Sequence, residues 1–445
     1  MTKEELKAKK FFLLNLGCDK NRVDGEQMAF QLENYGINQT QNIDEAQIVI
    51  VNTCAFIRSA KEESISYICD AMMKKSEKCE KLIVTGCLAQ RYYDEVKKGF
   101  PEVDAVLRLK NNDQILNVVK GLYGLDTTHN ECTKFSALQR SLSTPSYYAY
   151  LKIADGCNNC CAYCTIPKIR GRYQSKPVEV ILAEAKALAK NGVKELILVA
   201  QDVTNYGSDL YGEPKLVELL QALSKIKQIK WIRLHYCYPN LISDKLLHEI
   251  ATNKKVCKYL DIPMQHASDK ILKAMNRRDT KEAYNTLLAK IHNLPEFIAV
   301  RSTFIVGFPG ETEQDFEELK QFLLVQKMQY VGFFKYSREE YTAAYEMPNQ
   351  VKEKVKDQRL NQIQELQENL MIESQKNFVG QTCLAVAEKT YEDGTVAFRN
   401  QYNSPGVDSL IFVKTTENVK IGEFYNIKIT GLQGIDLEGE IIRRK

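Results

Sequence analysis

Apolar positions along this chain fall into three successive styles. In residues 1–122, short runs rich in leucine or β-branched residues, "KFFLLNLGC", "QIVIVNTC" and "KLIVTGC", alternate with "DGEQMAFQLENYG" and "AKEESISYICDAMMKK", whose spacing is helical. Continuous apolar runs predict buried parallel strands, and their alternation with helices predicts a parallel sheet covered by helices. Each of the three strands ends in a cysteine: Cys18, Cys54 and Cys87. Strand carboxyl ends form the rim where open α/β sheets bind ligands, so these thiols, distant in sequence, are expected to converge.

Residues 123–146 are polar and without sustained period, the pattern of a linker. From 147 to 349 six further strands are expected: "YAYLKIADG", "KELILVA", "KWIRLHY", "CKYLDIP", "IAVRSTFIVG" and "YVGFFKYS". Six β-α units are too few for a closed eight-stranded barrel and suit a partial barrel with an open side. The segments after these strands, among them the cysteine cluster, "QDVTNYG", "CYPN", "MQHAS" and "GFPGETE", are polar or contain Gly and Pro. They would gather at the strand carboxyl ends, where parallel barrels keep their chemistry. "GFPGETE" lacks the G-K-[ST] ending of a phosphate loop.

Residues 350–376 read as a helix, with Val355, Leu360, Ile363, Leu366 and Leu370 as its packing stripe. Residues 377–445 switch to short strands, "TCLAVAEK", "TVAFRN", "SLIFVKT" and "GEFYNIKITG", broken by Gly, Asn, Asp and Pro, which predicts a small antiparallel barrel. The fold class expected is therefore α/β: an N-terminal parallel sheet domain, a central partial (βα)6 barrel and a C-terminal small β-barrel.

The 445 residues are enough for three domains of about 150 each. A net charge of +4 is too small to argue for nucleic acid or a membrane, and from Lys376 to the end nine basic residues match nine acidic ones. The start lacks the apolar core of a secretory signal, and no run reaches the ~18 apolar residues of a membrane span. A cytoplasmic location is expected. Thirteen cysteines in that compartment point to metal or catalysis instead of disulfides. Cys69, Cys79, Cys132, Cys237, Cys257 and Cys383 stand alone and are read as small apolar packing residues.

Four thiols crowd into "DGCNNCCAYCTIP": Cys157, Cys160, Cys161 and Cys164. A four-thiolate zinc site would have to close on eight residues of backbone, whereas structural zinc draws on two separated knuckles. The C-x-x-x-C-x-x-C trio Cys157, Cys161 and Cys164 suits one loop around the corner of an iron–sulfur cubane, with one iron left open. That trio, with Tyr163 before its last cysteine, resembles the signature of radical S-adenosylmethionine enzymes. The likeness extends over nearly the whole chain. Cys18, Cys54 and Cys87 resemble the trio of the methylthiotransferase domain, and the C-terminal barrel resembles a TRAM domain, which is OB-like. "ILVAQDVTNYG", "IRLHYCYPN", "KYLDIPMQHAS" and "GFPGETE" are similar to the RimO-type branch, which modifies a ribosomal protein; "YCYP" at 236–239 separates it from the transfer-RNA branch. Two positions depart from the family pattern: Cys160 stands where Arg or another polar residue is usual, and Tyr341 where Gly is usual.

The resemblance implies two [4Fe-4S] clusters, one on each trio, and S-adenosylmethionine cleaved to a deoxyadenosyl radical. The reaction implied is methylthiolation of the β-carbon of an aspartate in the small-subunit ribosomal protein numbered twelve, with a transfer-RNA adenosine as the alternative substrate. Hydrogen-atom abstraction suits a C–H that no positioned base would ionise readily. A reductant protein and a sulfur carrier are implied as partners; direct nucleic-acid binding is not required. By position, Tyr163, Gln201, Gln265, Gly307, Gly310 and Glu311 are candidates to contact the cofactor. Arg170 and Arg172 read as solvated surface arginines.

Overall fold

The computed structural model describes residues 1–127 and 139–442; Cys132 and residues 128–138 of the expected linker lie outside them. Strands Lys10–Asn15, Ile48–Thr53 and Lys81–Gly86 form, with two short edge strands at Asn38–Gln39 and Ala105–Val106, a five-stranded sheet paired in parallel throughout. Its central strand is buried along its full length. Val49 and Val51 pack on one face, Ile48 and Ile50 on the other, which is why the strand reads as apolar without alternation. Helix Asp19–Tyr35 starts five residues before the periodic stretch, directly after Cys18. Its buried set includes Lys20, Asn21, Asp24 and Glu26, so its inner face is too polar to announce itself by hydrophobic period.

All six expected barrel strands form: Tyr148–Lys152, Glu195–Val199, Trp231–Leu234, Tyr259–Gln265, Ala299–Val306 and Tyr330–Lys335. They make two parallel three-stranded sheets, joined by the Ile232–Val256 bridge and by a hydrogen bond from Cys237 N to Asp261 O of 2.8 Å. Leu196, Leu198, Ile232, Leu234, Leu260 and Val300 face the surrounding helices. Their alternates Glu195, Arg233, Tyr259, Asp261 and Arg301 carry the polar groups of the lumen, as period-two geometry requires.

Each end of this lumen is covered. At one end helix Asp19–Tyr35 lies over the first strands, with Val23 packed among Tyr150, Ile197 and Val199. At the other, strands Thr382–Thr390, Thr395–Asn400, Ile411–Lys414, Phe424–Gln433 and Asp436–Ile441 form a closed barrel. Its pairings are antiparallel except Ile411–Lys414 with Asp436–Ile441, a charged strand whose pattern carries no apolar alternation. Segment 400–409 enters the lumen: Arg233 donates to Gln401 O at 2.9 Å, Tyr259 Oη to Asp408 Oδ2 at 2.8 Å, and His235 Nε2 lies 2.8 Å from Ser404 Oγ. Arg233 and Arg399 share the buried carboxylate of Glu195 at 2.8 and 3.1 Å.

Helix Glu353–Lys376 forms as expected, but its most buried face is not the leucine stripe. Leu360 and Leu370 are half-buried, while Lys356, Arg359 and Gln367 are buried beside Ile363. The polar members survive burial because each has a partner: Arg359 reaches Glu311 at 2.8 Å, Lys356 the Tyr336 carbonyl at 3.0 Å, and Gln367 the Met328 carbonyl at 3.2 Å. Of the isolated cysteines, Cys79, Cys237 and Cys257 are buried as packing residues should be; Cys69 is exposed and Cys383 half-buried, against that expectation. No helix among the described residues is long and apolar enough to cross a membrane.

Burial opposes ionisation of Glu195, but Arg399 and Arg233 outweigh it and hold the carboxyl below its usual range. Its stabilisation is present above that range and is lost as pH falls through the depressed value. Replacing Glu195 with Gln leaves buried Arg233 with carbonyl acceptors alone and Arg399 with Glu388 as its one carboxylate, and is expected to cost about 3 kcal/mol in a denaturation experiment. Tyr341, 62% exposed, holds φ +66°, a conformation that glycine adopts without strain. Tyr341→Gly is expected to raise stability by about 1 kcal/mol, read as a higher denaturation midpoint.

Candidate functional site

Cys18, Cys54 and Cys87 each follow the carboxyl end of a neighbouring strand, and two glycines let their loops close. Gly17 has φ +83°, and a side chain there would put Cβ 2.7 Å from Cys54 Sγ. Gly86 has φ +91°, and its Cβ would fall 2.4 Å from the Thr53 carbonyl. Burial pushes the Cys87 thiol up to about 12, with Cys18 and Cys54 adding to the rise and Arg170 opposing it. Burial raises Cys54 as well, against amide N–H groups of Phe56 and Ala55 that point at its sulfur. The three thiols thus sit within electrostatic reach of one another.

The second trio occupies the loop between the first barrel strand and helix Ile166–Arg170. Burial pushes Cys157 up to about 11 and Cys164 up to about 12, and each feels Cys161. Asn159 N donates to Cys157 Sγ at 3.3 Å. Cys160 stands apart: it is exposed and donates to the Asn158 carbonyl at 3.7 Å. Among the described residues no three His, Cys, Asp or Glu side chains are arranged around a single metal ion. Three thiols in each domain, amide donors aimed at their sulfurs and a guanidinium beside one of them fit anionic thiolates around a larger body, as a cubane requires.

Arg170 is the link between the two cysteine trios. It is not the solvated arginine that the sequence suggested: its side chain is 1% exposed. It donates to Asp155 at 2.9 and 3.1 Å, to Asp24 at 3.0 Å, and lies 3.9 Å from Cys87 Sγ. Asp155 belongs to the barrel and Asp24 to the helix behind Cys18. Lys152 pairs with both carboxylates, and Gln201 donates to Asp155 at 3.0 Å. The pairing is close enough to hold Asp155 far below the usual carboxylate range, although burial pulls the other way. Arg172 is exposed, as its sequence context suggested. A second tie closes the opposite edge, where buried Glu339 accepts from Lys61 at 2.9 Å and Arg91 at 3.0 Å.

The remaining sequence candidates distribute unequally. Tyr163 lies beside Cys161, and burial and the neighbouring thiols push its phenol well above the ordinary range. Gln201 keeps Oε1 buried without a partner. Gln265 ends the fourth strand at φ +73°, a backbone state rare outside glycine. Gly307 and Gly310 form the turn after the fifth strand, both with positive φ. Glu311 is buried: its carboxylate accepts from the Gly307 and Phe308 amides at 2.7 and 3.2 Å and meets Arg359, so it holds the turn.

Sequence reasoning missed Lys20, Asp24, Lys152, Asp155 and His235. The signal available was the unusually polar "CDKNRVDGE" in a helix that otherwise had to be buried. Lys20 Nζ sits 3.3 Å above the ring of Tyr236, whose φ of +62° places it at the end of the third strand facing the N-terminal domain.

Residues 10–108 match the Uncharacterized protein family UPF0004, 151–323 the Radical SAM superfamily and 379–442 the TRAM domain. The chain is 45% identical over 446 residues to the ribosomal protein uS12 methylthiotransferase RimO of Acetivibrio thermocellus, covering 98% of both chains. It is 44% identical to the protein of that name from Clostridioides difficile, over 97% of this chain and 99% of that one. Among solved structures, the radical S-adenosylmethionine methyltransferase TsrM from Kitasatospora setae shares the fold, with a TM-score of 0.54, 12% identity and coverage of 90% of this chain and 81% of that one. With near-complete coverage at this identity, the chain belongs to the RimO family of radical S-adenosylmethionine methylthiotransferases.

Proposed function

We propose that the protein attaches a methylthio group to the β-carbon of an aspartate in ribosomal protein uS12, using S-adenosylmethionine and two [4Fe-4S] clusters. The observation that carries this reading is the pair of three-thiol clusters, one on each domain, linked through Arg170. Cys157, Cys161 and Cys164 would hold the cluster that serves S-adenosylmethionine; Cys18, Cys54 and Cys87 would hold the one that serves sulfur transfer. Bound there, these groups supply hydrogen-atom abstraction and sulfur delivery, which no side chain of the chain can perform.

The chain's own residues bind and orient. Tyr163, Gln201, Gln265 and the Gly307–Gly310 turn line the rim where a cofactor's polar groups would be met. Arg170 and Lys152 neutralise Asp24 and Asp155 and keep the two cysteine loops in register. The lumen below the rim is filled by segment 400–409, which keeps bulk water from entering at that end. The residues named here act in the cytoplasm, where the ribosome is, and need a reductant protein and a sulfur carrier. The transfer-RNA alternative is not favoured, since the relatives at 43–45% identity are named for uS12.

Mass spectrometry of uS12 from cells lacking this chain is expected to show loss of the methylthio increment; an unchanged spectrum would overturn the reading. Incubation of the anaerobically reconstituted protein with ribosomes and with transfer RNA is expected to give product from ribosomes alone. Cys160→Ala is expected to keep full iron content, whereas Cys161→Ala and Cys54→Ala each retain about half, one cluster of two. Arg170→Met leaves buried Asp24 and the half-buried Asp155 with Lys152 as their shared cation and is expected to cost about 2–3 kcal/mol on denaturation.

A further inference from the structure

The cations around the two cysteine loops are almost all matched. Arg170 and Lys152 share Asp24 and Asp155, Lys61 and Arg91 share Glu339, and Arg277 pairs with Asp279 at 3.1 Å. Lys20 is different. It is 6% exposed, and no carboxylate among the described residues lies within ion-pair distance of its ammonium. Neighbouring Asp19 turns its carboxylate to His235, 3.7 Å away, and meets Lys20 only beyond ion-pair distance. The partner Lys20 has is the face of Tyr236 at 3.3 Å. A cation–π contact offsets only part of what it costs to bury a charge. An ammonium held this way is poised for an anion that the polypeptide does not itself supply.

Its place narrows the choice of anion. Lys20 is two residues beyond Cys18, and Tyr236 ends a barrel strand within electrostatic reach of the Cys18 thiol. The pair therefore sits between the loop that would deliver sulfur and the mouth of the barrel. A residue whose β-carbon is modified there must place its side-chain carboxylate one bond from the reacting atom. Tyr236 fixes the ammonium from below and leaves its N–H donors for a carboxylate oxygen.

We propose that Lys20, seated on Tyr236, is the site that binds the side-chain carboxylate of the substrate aspartate and so selects aspartate over uncharged residues. This assignment rests on the functional reading above. It also gives "YCYP" a physical role, because Tyr236 is the platform of the carboxylate-binding cation.

The test compares purified uS12 with its version carrying Asn in place of the target Asp, against reconstituted wild-type protein, Lys20→Met and Lys20→Arg. Binding is followed by fluorescence anisotropy and turnover by mass spectrometry. Wild-type protein is expected to bind the Asp form at least about tenfold more tightly than the Asn form, as loss of a charge-assisted contact predicts. In Lys20→Met that preference is expected to fall to within about twofold and KM to rise about tenfold or more, with a smaller change in kcat. Lys20→Arg is expected to keep most of the preference, and iron content and the EPR signal are expected to stay at wild-type values in both variants. Loss of iron in Lys20→Met would overturn the assignment by making Lys20 a support of the cluster loop. Wild-type turnover with an undiminished Asp preference in Lys20→Met would overturn it while leaving the functional reading in place. Failure of wild-type protein to modify the Asp form would overturn the functional reading and this assignment together.

Discussion

A single buried guanidinium keeps the two halves of this molecule in register. Arg170 stands at the end of the helix that follows the second cysteine loop, and it spends its donors on Asp155 of its own domain and Asp24 of the other. Burying one charge would be prohibitive; burying an array of two cations and two carboxylates is tolerated because each finds an opposite charge in good geometry. Such an array fixes an arrangement more sharply than apolar packing could, since sliding by one position would leave charges stranded. The geometry that results brings Cys87 to 3.9 Å from the same guanidinium, so one interaction sets both domain placement and the charge beside a cysteine site.

The same logic runs along the barrel interior. Outward strand positions are apolar and pack on helices, whereas inward positions are polar and could not be left empty. The N-terminal domain covers one end and the C-terminal barrel fills the other with segment 400–409. Glu195, caught between Arg233 and Arg399, does for that junction what Asp24 and Asp155 do for the first. The TRAM-like barrel is thereby part of the central domain's core. His235 shows how closely the three domains meet, with Ser404 on one nitrogen and Asp19 near the other.

Backbone conformation at the rim follows from the need to aim side chains across the cleft. Tyr236 and Gln265 both take positive φ at strand ends, a cost tolerated where surrounding structure enforces it. Tyr341 takes it on an exposed loop, where glycine would be free of strain. The tyrosine was visible in the chain's own letters; its cost became readable once φ was known.

Much of the architecture was legible in the letters. Apolar runs placed the three N-terminal strands and all six barrel strands, because those strands are packed on sheet faces where continuous hydrophobicity is the condition of burial. Cysteine spacing separated Cys157, Cys161 and Cys164 from Cys160, since a loop geometry is local. What no local pattern could state was which polar residues would be buried together. Arg170 looked like a surface arginine, Glu311 carried no sign of its buried ion pair, and the helix at 353–376 looked like a leucine-faced one. Each was decided by a partner distant in sequence: Asp24, Arg359, or the carbonyls at Tyr336 and Met328. Hydrophobic burial depends on a residue and its period and so is written along the chain, whereas the burial of a charge depends on the identity of its neighbour in space, which the tertiary structure alone supplies.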